Sequence, residues 1–245
     1  MKWLFQNFGA RVAFALRNPG YTLSSLGREL LLSDERFLAR ITGVTPRKIR
    51  SFMNEPINTP EFAAHLRESE VKFRSLNMLS ADLYAKKILN QYAVVRALQP
   101  KCVIETGIAS GVSSAYLLLA LKKNDLGELH SIGLPDPAFL PIGKEMGWIV
   151  PAWLRSSWTI YPVDSREILP QLFHELLHVG VFIHDSLHTY DHMMWEFRTA
   201  YPYLPRNGVL IADDALCNTA FEEFAKGVNV PDERVLHGVG FLRKS

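Results

Sequence analysis

Four groups of acidic, hydroxyl and imidazole side chains could do chemistry, and each follows a short apolar run. Glu105-Thr106-Gly107 and then Gly111-Val112-Ser113-Ser114 come after Val103-Ile104. Asp164-Ser165 follows Trp158 to Pro162, Asp185 and His188 follow Val179 to His184, and Asp213-Asp214 follows Val209 to Ala212. Gly107 and Gly111 permit a tight turn and close approach of backbone to a ligand. The N–H groups of a helix starting there, with the hydroxyls of Ser113 and Ser114, supply donors. Glu105 sets a negative charge beside them that repels a pyrophosphate and attracts a cationic or amino-bearing ligand. The run Gly107-Ile108-Ala109-Ser110-Gly111 is not the dinucleotide Gly-x-Gly-x-x-Gly, and no Gly-Lys-Ser/Thr of a P-loop is present.

Asp185, Asp213 and Asp214 are hard oxygen donors, suited to Mg²⁺, Mn²⁺ or Ca²⁺ and unsuited to zinc. A dication held there would chelate a diol or similar acceptor and lower its hydroxyl pKa, helping His188 to remove the proton. The plainer alternative is helix capping, by Asp213-Asp214 for the helix that follows and by Asp185 for one starting at Thr189. His184, His188 and His192 step by four, but His184 belongs to a strand. Two histidines on one helical face do not make a zinc site.

The elements that must position these groups alternate regularly. The apolar spacing predicts a helix over 76–98, a strand at Val103–Thr106, a helix at Val112–Lys123 and a strand at Glu128–Ile132, which is a parallel crossover unit. A long Pro- and Gly-rich loop, 133–156, with Lys144, Glu145 and Trp148 in it, reads as a lid over the substrate or as an unstructured connection. Then come a strand at Trp158–Pro162, a helix at Arg166–Leu177, a strand at Val179–His184, a helix at Tyr190–Tyr201, a strand at Val209–Ala212 and a helix at Thr219–Lys226. Arg234 to Leu242 closes as a hairpin-like pair around Gly238. Five strands alternating with helices predict an α/β, doubly wound, mostly parallel sheet whose ligands bind at the C-terminal strand ends. Tyr190 and Trp195 are candidates for an acceptor pocket, or for the core.

With those motifs in place, the chain resembles a known family. Val-Ile-Glu-Thr-Gly-Ile-Ala-Ser-Gly-Val-Ser-Ser is similar to motif I of the class I S-adenosylmethionine-dependent methyltransferases. His-Asp-Ser-Leu-His-Thr-Tyr-Asp, with Asn-Gly-Val-Leu-Ile-Ala-Asp-Asp later, resembles the metal-assisted small-molecule and sugar O-methyltransferases of the macrocin/mycinamicin type. The resemblance covers about residues 80–245. It implies a Rossmann-like methyltransferase fold and S-adenosylmethionine as cofactor. Glu105, Thr106, Gly107, Gly111 and Ser113 would lie around its methionine and ribose, Asp164 and Ser165 near its adenine, and Asp185 at the join with the metal. It further implies Asp185, Asp213 and Asp214 as metal ligands, with His188 and Asp185 catalytic. The family's acid at the end of the second strand is missing at Ser131-Ile132-Gly133, which leaves Asp136 for the ribose. The expected reaction is transfer of a methyl group to a hydroxyl of a saccharide or other small metabolite. The rivals are a nicotinamide-dependent oxidoreductase and a non-catalytic methyltransferase-like scaffold at a membrane surface.

Residues 1–75 read as a helical N-terminal unit cut at Asn18-Pro19-Gly20, Thr45-Pro46 and Asn58-Thr59-Pro60, each a cap followed by proline. Residues 76–245 form the expected catalytic domain. A 245-residue chain that is 48% hydrophobic can bury one large core and an accessory unit. Residues 1–101 carry 16 Lys and Arg against 8 Asp and Glu, whereas the remainder carries 11 against 17. That asymmetry suits docking of the first part on the second, a solvated basic face, or an anionic partner. Leu4, Phe5, Phe8, Val12 and Leu16 share one helical stripe, so residues 1–17 are a candidate for peripheral membrane contact or for core docking. No run is long enough to span a bilayer, and no cleavage pattern marks a signal peptide. Cys102 and Cys217 suggest no disulfide framework, which favours the cytoplasm. A homo-oligomer is expected, and no nucleic-acid-binding pattern stands out.

Overall fold

The computed structural model describes residues 33–76, 78, 81–137, 140–176 and 178–245. The N-terminal stripe over residues 1–17 and the Asn18-Pro19-Gly20 break lie outside them. Helix α1 (Asp34–Thr42) begins at Ser33, whose hydroxyl accepts from the Arg36 N–H, and ends at Gly43 in the left-handed region. In α2 (Pro46–Asn58), Thr45 accepts from the Lys48 N–H and Pro46 fills the first position, as the sequence predicts. Thr59 before α3 (Pro60–Ser75) behaves differently: its hydroxyl donates back to the Glu55 carbonyl and leaves that helix start without a side-chain cap.

The helix expected over 76–98 is shorter. A 3₁₀ turn at Ala81–Tyr84, which holds Leu83, precedes α4 (Lys86–Leu98), and that helix starts without a side-chain cap. The alternation then runs β1 (Cys102–Thr106), α5 (Val112–Asn124), β2 (Glu128–Ile132), β3 (Trp158–Tyr161), α6 (Ser165–Leu176), β4 (Val181–His184), α7 (Tyr190–Ala200), β5 (Val209–Ala212), α8 (Ala220–Val228), β6 (Glu233–Leu236) and β7 (Val239–Arg243). The sheet order is β3-β2-β1-β4-β5-β7-β6. The first five strands are parallel, and β7 is antiparallel to both β5 and β6.

Each face of this sheet is covered by its own core. Tyr92, Tyr116, Phe37 and Phe62 pack on one side with the N-terminal helices, and Phe173, Phe182, Phe197 and Phe221 on the other. Strands buried on both faces explain why β1, β4 and β5 read as continuous apolar runs. The N-terminal helices are tied in by polar contacts as well. Glu55 of α2 takes hydrogen bonds from Tyr92 and Arg96 of α4, and His237 of the β6–β7 turn reaches Asp34 of α1 at 2.7 Å.

The second half of the long 133–156 loop is fixed rather than free. Gly147 N–H donates to the Ala109 carbonyl, Ile149 N–H to that of Ser110, and Trp148 Nε1–H to the Ser110 hydroxyl. It therefore forms a wall against the glycine turn. Cys102, in β1, is a buried thiol. Among the described residues no helix is long and apolar enough to cross a membrane.

Candidate functional site

Parallel register sets the geometry of the site. Thr106, His184 and Ala212 are aligned across β1, β4 and β5, so the next residue of each strand, Gly107, Asp185 and Asp213, emerges at one edge. The ladder extends one step past the strands: Asp185 N–H donates to the Thr106 carbonyl and Asp213 N–H to that of His184, both at 2.8 Å. Gly107 has φ +89°, and a Cβ there would stand 1.9 Å from the Asp185 carbonyl oxygen, so only glycine allows this approach. Gly111, at φ +87°, opens α5, and a Cβ on it would meet the backbone of Gly147 at 2.7 Å.

A cavity of about 550 Å³ lies along this edge. Of the residues expected to bind a cofactor, Gly107, Gly111, Ser113, Asp136, Asp164, Ser165 and Asp185 line it, and His188 and Asp213 do so as well. Glu105 and Thr106 are not among the lining residues. The Glu105 carboxylate is buried and accepts hydrogen bonds from the hydroxyls of Ser114, Ser131 (2.6 Å) and Ser113 (3.3 Å). Burial pushes its carboxyl up to about 7, against the pull of those three donors. Thr106 donates to Glu196 on the other side of the strand. The missing acid at Gly133 is a real gap, since the Gly133 N–H continues the sheet by donating to Tyr161, and Asp136 is the carboxylate that reaches the cavity from this loop.

The expected carboxylate trio is rearranged. Asp185, His188 and Asp213 each offer one ligand atom, all within 4.8 Å of one another. Asp214 adopts φ +48°, and its Oδ2 lies 3.9 Å from His188 Nε2, outside that group. His188 Nε2 is 3.7 Å from Asp185 Oδ1, and its Nδ1 is buried without a hydrogen-bond partner. Burial and the neighbouring charge of His184 push the His188 imidazole down to about 4, so the ring is neutral at pH 7. Burial and the adjacent Asp213 hold the Asp185 carboxyl well above its ordinary range. Because 36% of the Asp185 side chain is open, the Asp213 charge is the cause with the firmer physical basis.

Three contributors escaped the sequence reading. Lys87 and Gln91 of α4 line the cavity, with Lys87 Nζ 3.2 Å from Asp213 Oδ2. A Lys-Lys pair at a helix start reads as a solvated face, and nothing in its spacing marks it as inward. Beneath the site, Glu196 of α7 accepts from Thr106 and Ser186 and contacts His184 and His192. Glu196 follows His192 by four residues, the one sequence signal for this network. Tyr190 hydrogen-bonds Glu223 and lies away from the cavity, and Trp195 packs against the second core.

The family model of the methyltransferase domain matches residues 104–215, a span that starts in β1 and ends just past Asp214. That span, a little under half of the chain, matches a methyltransferase domain. The solved O-methyltransferase NovP is similar at 16% identity, with 65% of this chain and 80% of that one covered and a TM-score of 0.53. The O-methyltransferase TomG from Streptomyces achromogenes, solved with S-adenosylmethionine, has 15% identity, 74% and 90% coverage and a TM-score of 0.55. The methyltransferase PaMTH1 from Podospora anserina, solved with S-adenosylhomocysteine, has 14% identity, 75% and 87% coverage and a TM-score of 0.52. At these identities the structures share the fold, and that fold is the Rossmann-like methyltransferase sheet expected for a class I S-adenosylmethionine-dependent methyltransferase. No curated protein matches the sequence at a significant level.

Proposed function

We propose that this methyltransferase moves the methyl group of S-adenosylmethionine to a hydroxyl of a small molecule, with a saccharide or polyol-like metabolite as the narrower acceptor class. The observation that carries this reading is the shared cavity, which sets the glycine turn of Gly107 and Gly111 beside a buried neutral imidazole, His188. The glycine turn, Ser113, Asp136, Asp164 and Ser165 are the proposed cofactor contacts, with Asp136 taking the ribose hydroxyls. A helical unit at 1–75 that shapes the acceptor side of a catalytic domain at 76–245 is part of this reading, supported by Phe73 of α3, which lines the cavity.

The chemistry follows from the site. The sulfonium methyl is already activated, so the protein must align acceptor oxygen and methyl carbon and remove one proton. His188 accepts that proton as the oxygen attacks, the methyl–sulfur bond breaks, and its electron pair stays on sulfur.

A second reading keeps the divalent cation, Mg²⁺, Mn²⁺ or Ca²⁺, on Asp185, Asp213 and His188, and the 4.8 Å cluster favours it. As arranged, the donor set does not fit that ion well. Lys87 already occupies both oxygens of Asp213, and a metal-bound His188 could not serve as base.

Calorimetry of the full chain with S-adenosylmethionine, S-adenosylhomocysteine and NAD, each with Mg²⁺ and with EDTA, tests the proposal. Binding of both sulfur nucleotides and not of NAD is expected. NAD binding alone would point to the oxidoreductase rival. Sedimentation of the chain by itself checks the homo-oligomer, and sedimentation with anionic liposomes checks the contact proposed for residues 1–17.

A further inference from the structure

Helix α4 turns Lys87, Ile88 and Gln91 toward the cavity, and the two polar residues among them are one helical turn apart. Gln91 is 4% exposed, and its Oε1 has no hydrogen-bond partner, which marks this face as one that awaits a ligand's donor. Lys87 extends further and places its ammonium 3.2 and 3.5 Å from the two oxygens of Asp213. Its charge also bears on Asp185 and His188. One tethered cation thus acts on all three groups that could otherwise ligate a metal.

We propose that Lys87 is the resident cation of this cluster, standing in place of a divalent metal and stabilising the acceptor oxygen while its proton leaves for His188. The inference rests on the methyltransferase reading. Ammonium and metal compete for the same Asp213 oxygens, so the site can hold one or the other. An ammonium on a flexible stem can follow an oxygen that gains negative charge, and its three donors can serve Asp213 and the acceptor together. In the step it assists, the acceptor O–H bond breaks, the proton goes to His188, the oxygen–methyl bond forms and the methyl–sulfur electron pair remains on sulfur. No oxidant, reductant or metal enters that balance.

Manganese(II), titrated into the full chain and followed by the resonance signal of the free ion, tests this directly. The wild type and K87R are expected to leave manganese free. K87M, which uncovers Asp213 without adding charge, is expected to bind one ion roughly tenfold or more tightly than the wild type, and K87M combined with D213N to lose that ion again. A wild-type site for manganese that D213N abolishes would overturn the proposal, and so would the absence of binding to both wild type and K87M. S-adenosylhomocysteine calorimetry on each variant reports folding and the cofactor site. Should K87M fail that control, K87Q takes its place. Failure of every form, wild type included, to bind S-adenosylhomocysteine would count against the methyltransferase reading and leave the manganese comparison readable on its own.

Discussion

His184 Nδ1 lies 2.6 Å from Glu196 Oε2, and neither side chain has any surface open to solvent. Glu196 also holds Thr106 of β1 at 2.7 Å, Ser186 at 3.0 Å and His192 at 2.9 Å, so a single carboxylate ties two strand ends, the loop after β4 and helix α7. Burial alone would raise its pKa. The charge of His184 and the hydrogen bonds from His184, His192 and Ser165 instead hold the carboxyl well below the usual carboxylate range. Removing one partner from such a buried set costs about 3 to 5 kcal/mol, because the others stay buried and unpaired. Glu196→Gln is therefore expected to lower urea-unfolding stability by about that amount at pH 7. The pKa is depressed in the folded state, so this stability is present above the unfolded value near 4.5 and lost as pH falls below it. The gap between variant and wild type should narrow in acid, and a gap independent of pH would show that the charge is not what stabilises.

Glu105 titrates in the opposite sense. Its carboxyl is pushed up to about 7 from 4.5, so the folded protein holds this proton across a range where the unfolded chain releases it. The favourable contribution is complete below 4.5 and is lost as pH rises through 7, a change of about 3 kcal/mol at roughly 1.4 kcal/mol per pKa unit. Glu105→Gln keeps an acceptor for Ser114 and Ser131 and cannot ionise. Thermal melts at pH 5 and pH 8 should show the variant gaining on the wild type at the higher pH.

Gly107→Ala brings a Cβ to 1.9 Å from the Asp185 carbonyl oxygen, a backbone atom held in the sheet ladder, at a φ that costs a side chain about 1 to 3 kcal/mol by itself. The clash moves either the glycine turn or Asp185. Loss of S-adenosylhomocysteine binding together with a lowered melting temperature is expected. An alanine variant that binds normally would show that the turn does not touch the cofactor.

Much of this arrangement is legible in the sequence because buried parallel strands need continuous apolar runs, and Val103-Ile104, Val181-Phe182-Ile183 and Val209-Leu210-Ile211 have few other uses. The residue after each of these strands falls at the ligand edge by register alone, so parallel pairing is enough to bring Gly107, Asp185 and Asp213 together. What a side chain does once there is less legible. Glu105 carries the acid expected in the cofactor turn, yet three serines from α5 and β2 turn it inward. Asp214 follows Asp213 directly and reads as a second ligand, but a left-handed backbone step sends it elsewhere. Lys87 and Glu196 escape because charged residues on helices usually face water, and their burial depends on how α4 and α7 dock on the sheet, a long-range fact that local spacing does not carry.

His188 closes the argument from structure to rate. Burial and the charge of His184 push its pKa down to about 4, so the imidazole is unprotonated throughout the physiological range and can accept a proton without first losing one. A free-enzyme base of this kind predicts that kcat/KM stays level from pH 8 to about pH 5 and falls with unit slope as pH drops through 4. His188→Ala removes the proton acceptor and leaves the glycine turn intact, so kcat should fall by about 10² to 10⁴ while S-adenosylhomocysteine affinity changes little. Both are read from the release of S-adenosylhomocysteine with a hydroxyl acceptor that turns over. The pH profile separates two roles that the variant alone would confuse. A base acting alone gives a single inflection near 4 that His188→Ala abolishes, whereas an imidazole serving only to pack beneath the cavity leaves the inflection in place and lowers affinity along with the rate.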